Sequence, residues 1–148
     1  MADQILGFLG KFHFLSNFHE HESALIYIDG FSGQKIGCKN VEAAYQASKT
    51  INLTERLLIA NSSNPSEAKK LGRKIKLRSD WDEVKNDIMM ELLVQKFTYP
   101  FYRELLLSTK DAYLEETNTW SDFYWGVCNG VGENHLGKRL MKIREGLK

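Results

Sequence analysis

Strand signals cluster before Ile36 and helix signals dominate after it, so the sequence predicts a mostly helical chain with a small β component near its N-terminus. Two short apolar runs supply the strands, Ile5 to Phe8 and Ala24 to Ile28, and the second ends at Asp29-Gly30, a turn dipeptide. From Asn40 onward the chain reads as a series of capped, periodic helices. At 148 residues it suits one domain, taken as residues 1–148, with length enough for a substantial core.

Hydrophobic residues at 43% and charged residues at 26% describe an ordinary globular composition. Twenty basic against nineteen acidic residues leave a formal charge of +1, so global electrostatics do not mark a nucleic-acid binder, although a local basic patch stays open. Cys38 and Cys128 form no CxxC pair and no disulfide framework. A reducing cytoplasm is the simplest setting, with a single bridge left open. The start MADQILGFLG lacks a basic region followed by a sustained apolar run, and no 18-residue apolar stretch occurs. The expected protein is cytoplasmic, neither exported nor membrane-spanning.

Before the central helix, FHFLSNFHEH (Phe12 to His21) reads as a loop anchored by its apolar flanks, with Ser16 and Asn17 between hydrophobic residues. His13, His19 and His21, with Glu20, Glu22 or Cys38, have no recognised zinc spacing, so the expectation is no metal.

The central stretch is Asn40 followed by VEAAYQASKT, Val41 to Thr50. Asn40 is a natural N-cap. At about 100° per residue, Glu42, Tyr45, Gln46 and Lys49 share one stripe, and Ala43, Ala44, Ala47 and Ile51 lie opposite. An acid, a phenol, an amide and an amine thus occupy one face. The ordinary reading of such a face is solvent exposure. The alternative is a rigid polar stripe, held because the alanines let the helix pack closely.

Thr54 can cap TERLLIA, and Asn64-Pro65-Ser66-Glu67 combines a cap, a proline at the first helical position and an acid three residues after the cap. Gly72 ends or bends that segment. GRKIKLRSDW follows, with Arg73, Lys74, Lys76 and Arg78 before Trp81: either solvated charge on a linker or a phosphate-binding patch, for which arginine's forked donors suit best. Asp80 to Glu83 reads as a capping box opening a long helix to about Phe97. Val84, Ile88, Met89, Leu92, Leu93 and Phe97 recur there at core spacing. Pro100 starts another helix through FYRELLLS, and Ala112 to Glu116 reads as a short strand.

The last informative stretch is WSDFYWGVCNGVGENHLGKRLMKIR, Trp120 to Arg144. Gly126, Gly130 and Gly132 precede a helix whose Leu136, Leu140 and Ile143 are spaced for packing. Such glycines either bring backbone amides close to an anion or make a tight turn, and the match to a dinucleotide fingerprint is poor.

LSNF (Leu15 to Phe18), VEAAYQASK (Val41 to Lys49), GRKIKLRSDW (Gly72 to Trp81), DFYWG (Asp122 to Gly126) and GENHLGKRLM (Gly132 to Met141) together resemble the NADAR family, also called YbiA-like or RibX-like N-glycosidases. No single block is specific, but their order and combination are, and they span nearly the whole chain.

The resemblance implies a small, mostly helical α+β domain that cleaves the bond between a ribose anomeric carbon and a nitrogen. It implies two substrate kinds, ADP-ribose on the guanine amino group of nucleic acid and phosphorylated ribosylamino intermediates of riboflavin synthesis. The chemistry it implies requires no metal or organic cofactor and no membrane, and its partner is the substrate, a ribosylated small molecule or ADP-ribosylated nucleic acid. Glu42 and Asp122 match the family's acidic positions and Lys49 the lysine that follows its glutamate and glutamine. These are the candidate catalytic residues.

Trp81 and Trp125 match aromatic positions that would stack on a base or frame the ribose, with core packing as the alternative. Arg73 and Arg78 would hold phosphates, and Asn17 and Asn134 would read sugar hydroxyls or base edges. Tyr45, Gln46 and Gly126 complete the candidate binding set. Val127-Cys128-Asn129 departs from a smaller or more glycine-rich turn in the family pattern, which bears on substrate choice rather than reaction class. A module that binds ADP-ribose or a nucleotide without turnover is the non-enzymatic alternative, and a purely structural protein is a third.

Overall fold

The structure, a computed structural model, describes residues 3–148. In chain order its elements begin with β1 (Gln4–Leu6), a 3-10 helix (Gly10–Leu15), β2 (Ile26–Asp29), a 3-10 turn (Phe31–Gly33) and β3 (Lys35–Cys38). Four helices follow, α1 (Val41–Ala47), α2 (Leu53–Ala60), α3 (Pro65–Gly72) and α4 (Trp81–Thr98). The chain ends with α5 (Pro100–Ser108), β4 (Tyr113–Glu115), β5 (Thr117–Asn118), β6 (Val127–Cys128) and α6 (His135–Leu147). The fold is α+β and mostly helical. Two compact units make it up, residues 17–96 and the N-terminal residues to 16 with 97–148.

The unit of residues 17–96 opens with an antiparallel hairpin in which Ile26 faces Cys38 and Ile28 faces Ile36. In β2, Ile26 and Ile28 are buried while Tyr27 and Asp29 are exposed, the alternation a half-buried strand requires. The free edge of β2 is closed by a side chain: the Gln95 amide accepts from the Tyr27 N–H and donates to the Tyr27 carbonyl, both at 2.8 Å. α1 packs against α2, α3 and the hairpin. Ala43, Ala44 and Ala47 are buried there, small enough to let neighbouring backbones approach.

Asn40 caps α1, accepting from the Ala43 N–H at 2.7 Å, and Asn64 caps α3, accepting from the Glu67 N–H at 2.8 Å. Met89, Leu92 and Leu93 of α4 are buried, whereas Val84 and Ile88 are only half-buried.

In the other unit, β1 and β4 pair in parallel with Ile5 opposite Leu114, and β5 and β6 pair in parallel with Thr117 opposite Val127. α6 packs on β4 and on α5, burying Leu136 and Leu140. Asn134 adopts the left-handed conformation, φ 52°, just before α6. Gly137 has no room for a side chain, because a Cβ there would stand 2.1 Å from the Leu114 carbonyl oxygen.

Several boundaries differ from the sequence-based expectation. α1 ends at Ala47 rather than Thr50: the Lys49 N–H turns to the Gln46 carbonyl at 3.2 Å instead of the Tyr45 carbonyl, and the Ser48 hydroxyl, at 2.7 Å, shares the Ala44 carbonyl with its own N–H. Ile51 therefore falls outside the helix and is 75% exposed rather than lining the alanine side. The segment expected as a loop from Phe12 begins inside a 3-10 helix, Gly10–Leu15, which buries Phe14 and Leu15.

α2 is capped by Asn52, accepting from the Glu55 N–H at 3.0 Å, and Thr54 lies inside the helix. The Asp80 carboxylate makes no capping box: it grips the Arg78 guanidinium, at 2.6 Å to Nε and 3.1 Å to Nη2. β4 forms within the strand expected at Ala112 to Glu116, and the short β5 and β6 add to the β component after it. Among the described residues no helix is long and apolar enough to cross a membrane.

Candidate functional site

Residues 17–96 bring together Asn17, Glu42, Tyr45, Gln46, Lys49, Arg73, Arg78 and Trp81 of the expected set. α1 carries three of them. Tyr45 and Gln46 are 6% and 4% exposed while Glu42 and Lys49 are half-buried, so the middle of the polar stripe is sequestered and its two charged ends are partly open. Gln46 Nε2 donates to Glu42 Oε2 at 2.7 Å, an i, i+4 bond to a carboxylate. The Glu42 N–H in turn donates to the Asn17 carbonyl at 3.0 Å, which fixes the start of α1 against the LSNF segment.

Lys49 sits just past the helix end. Its carbonyl accepts the Arg78 N–H at 2.8 Å, so the GRKIKLRSDW segment holds the turn that carries it. Its Nζ stands 5.5 Å from the centre of the Tyr45 ring. Tyr45 also meets Trp81 at 5.2 Å between ring centres, tilted by 56°. Burial pushes the Lys49 amine below the usual lysine value; Glu42 opposes that shift, and the cations Lys69, Arg73 and Lys85 add to it. An amine whose proton affinity is lowered by burial, with a carboxylate acting on its charge, gives up its proton more readily than an exposed lysine.

Asn17 is 7% exposed, and its Nδ2 donates to the Met89 sulfur at 3.7 Å while its Oδ1 is buried with no hydrogen-bond partner. Arg73 is exposed at the C-cap of α3. Arg78 is bound to Asp80 and to the Ser48 carbonyl at 3.5 Å, so its fork is already occupied by a carboxylate. Trp81 is buried at 6% exposure.

The other expected residues, Asp122, Trp125, Gly126 and Asn134, lie together in the second unit. Asp122 Oδ1 accepts the N–H groups of Tyr124 at 3.2 Å and Trp125 at 2.9 Å, closing a turn. Asn118 holds the same residue from behind, accepting the Asp122 N–H and donating to its carbonyl, each at 3.0 Å. Trp125 is half-buried, with the Arg139 guanidinium 5.7 Å from its ring and the Leu136 N–H on its carbonyl. Gly126 packs flat against β4's extension, since a Cβ would meet the Glu116 carbonyl oxygen at 2.1 Å.

Asn134 is 2% exposed and its amide is engaged on the protein itself. It accepts the Glu116 N–H at 3.0 Å and donates to the Leu114 carbonyl at 2.9 Å and to the Tyr113 hydroxyl at 3.3 Å. Sequence reasoning passed over Asn118 and Gly72. Asn118 lies in the polar stretch Glu116 to Ser121, and nothing local in the sequence marks its two bonds to Asp122.

Among the described residues, no group of three or more His, Cys, Asp or Glu side chains is placed to hold a metal ion. His21 is engaged locally, with Nδ1 accepting the Ser23 N–H at 3.2 Å. Cys38 and Cys128 are free thiols, and burial pushes Cys38 up to about 12, leaving it inert.

The NADAR domain matches residues 8–148. The chain belongs to the NADAR family. The NADAR chain is 44% identical over 115 residues to an N-glycosidase of Nostoc punctiforme, covering 73% of each protein. It is 34% identical over 151 residues to the N-glycosidase YbiA of Escherichia coli, covering 99% of this chain and 91% of that one. The NMR structure of Escherichia coli YbiA superposes with a TM-score of 0.79 at 33% identity, covering 99% of this chain and 86% of that chain. The riboflavin biosynthesis protein PYRR of Zea mays is 32% identical over 144 residues, covering 87% of this chain but only 22% of that larger protein. The matched region, residues 8–148, thus contains every candidate residue named above and all of the unit of residues 17–96.

Proposed function

We propose that this NADAR protein is an N-glycosidase that releases ADP-ribose from the amino group of guanine in nucleic acid. The observation that carries the reading is the Glu42–Gln46–Lys49 arrangement, in which a lysine with a depressed proton affinity feels the charge of an oriented carboxylate. The names of the relatives support the reaction class, hydrolysis of an N-glycosidic bond.

The chemistry follows from the bond being cleaved. The exocyclic nitrogen pushes its lone pair toward C1′, the C1′–O4′ bond breaks, and O4′ takes a proton, leaving an open-chain sugar joined to the base as an imine. Neutral Lys49 Nζ adds to C1′ and loses a proton. The base amine then takes a proton and leaves with the C1′–N electron pair, so that C1′ becomes an imine of Lys49. Water adds to that carbon and Lys49 departs, giving free ADP-ribose and the free amine. One water is consumed and no oxidant is needed.

Glu42 serves as a proton carrier and as a negative charge beside the cationic intermediate. Asp122 is the second carboxylate that the reading assigns, with one oxygen closing its own turn. Asn17, with its buried and unpartnered Oδ1, is the candidate acceptor for a sugar hydroxyl. Within residues 17–96, Trp81 and Tyr45 supply aromatic surface and Arg73 an exposed cation for phosphate; Trp125 and Gly126, in the other unit, are assigned on the family motif alone. A formal charge of +1 suits recognition of the ADP-ribose and one unstacked base more than extensive duplex contact.

The name of the maize relative favours a second reading, in which the substrate is a phosphorylated ribosylaminopyrimidine of riboflavin synthesis. The two are separated by measuring release of free ADP-ribose from a guanine-ADP-ribosylated oligonucleotide, with Glu42→Ala and Lys49→Ala beside the wild type. Release by the wild type and a drop of about 100-fold or more in both variants is expected. Wild-type inactivity on the oligonucleotide, with turnover of the ribosylaminopyrimidine phosphate, would move the assignment to the second reading. Borohydride added during turnover should leave sugar on Lys49, and intact catalysis with no adduct would overturn the covalent route.

A further inference from the structure

Gln46 has two polar ends, and the fold occupies both. Its Nε2 donates to Glu42 Oε2 at 2.7 Å. Its Oε1 is buried and accepts no conventional hydrogen bond. The group facing that oxygen is Gly72, the last residue of α3: a Cβ built there would stand 1.9 Å from Gln46 Oε1, 2.8 Å from Cδ and 3.2 Å from Cβ. The hydrogen that glycine carries in place of a side chain therefore points at Oε1, a Cα–H···O contact that partly offsets the missing donor. The backbone of Gly72 shows no left-handed φ, so its need for glycine is set by this approach and not by conformation.

We infer that Gln46 is a positioning residue for Glu42 rather than a reader of substrate, and that Gly72 is the fulcrum that holds it in place. With Oε1 pressed onto the α3 backbone, the amide cannot turn, and only its N–H₂ end faces the carboxylate. Glu42 is left with one favoured orientation and with a donor that stabilises its charged form. The inference rests on the N-glycosidase reading for its catalytic consequence, but the Gly72–Gln46–Glu42 linkage is measurable without any substrate.

The test is a double-variant cycle on the full chain with Gly72→Ala, Gln46→Ala and both together. Carboxyl carbon NMR follows the Glu42 titration in each protein, Lys49 being the charged neighbour common to all four. Either single variant should raise the Glu42 pKa, and the pair should raise it no further than Gln46→Ala alone, since truncating Gln46 removes the 1.9 and 2.8 Å approaches and leaves only the 3.2 Å approach of the new methyl group to its Cβ. In turnover, Gly72→Ala should lower kcat about 10-fold or more with KM within about twofold. In the Gln46→Ala background the same change should cost less than about twofold.

Should Gly72→Ala fail to fold, recovery of folding in the paired variant would report the contact, and Gln46→Ala would report the positioning. A Glu42 titration that stays put in Gln46→Ala overturns the inference. So does an equal cost of Gly72→Ala in both backgrounds, or a rise in KM with kcat unchanged in Gln46→Ala. A shifted Glu42 titration in a protein that hydrolyses no ribosylamine would uphold the linkage and reject the N-glycosidase reading.

Discussion

An ammonium group that loses water without gaining a hydrogen-bonded carboxylate gives up its proton more readily, and Lys49 meets that condition. It forms no ion pair within 4.0 Å among the described residues, while burial lowers its proton affinity and Glu42 only partly restores it. Lys49→Arg keeps the charge and approximate reach but cannot become a neutral amine near pH 7. The expected outcome is a loss of at least about 100-fold in kcat with the fold intact by circular dichroism. In the wild type the rate should climb as pH rises through the Lys49 pKa, which lies below the ordinary 10.5. An Arg variant with near-normal kcat would remove Lys49 from the covalent step and leave it an electrostatic role.

Asn40 and Asn64 were legible as caps because an N-cap acts through its own neighbours, and the Glu42/Gln46 face was legible because i, i+4 spacing is local. The end of α1 was not, since it is set partly by Ser48 and by Arg78, whose N–H takes the Lys49 carbonyl from a distant segment. Gly72 and Asn118 were hidden for the same reason: each matters through a close approach that no local pattern encodes. Asn134 illustrates the converse. Its motif suggested a substrate reader, yet its amide joins β4 to the start of α6 through three bonds. Asn134→Ala strands the Glu116 N–H and the Leu114 carbonyl and puts alanine at φ 52°, so it should cost about 2–4 kcal/mol. Urea unfolding checks the cost. A normal stability with a raised KM would return Asn134 to the substrate.

For the whole molecule, twenty basic and nineteen acidic groups nearly cancel, so net self-repulsion is small and pH sensitivity concentrates in a few buried groups. Lys96 stands out. It lies seven residues after Met89 and one before Phe97 on the stripe that the spacing marks as core, and it is 1% exposed. Burial pushes its amine down to about 7, whereas the unfolded chain holds that proton to near 10.5. Between those values the unfolded state binds more protons than the folded one, so unfolding free energy rises with pH across the window. Below about pH 7 both states are charged, and the full cost of burying the ammonium is present. The gain across the window is on the order of 5 kcal/mol. Lys49, shifted in the same direction, adds to the rise. Lys96→Met removes the Lys96 share while conserving most of the buried volume. Urea unfolding at intervals from pH 6.5 to 10 should therefore give a steeper upward curve for the wild type than for Lys96→Met. All other titrations are common to both proteins, so subtracting the curves isolates the lysine. Parallel curves would mean that Lys96 keeps its proton throughout the range, held by charge-compensating contacts strong enough to cancel its desolvation.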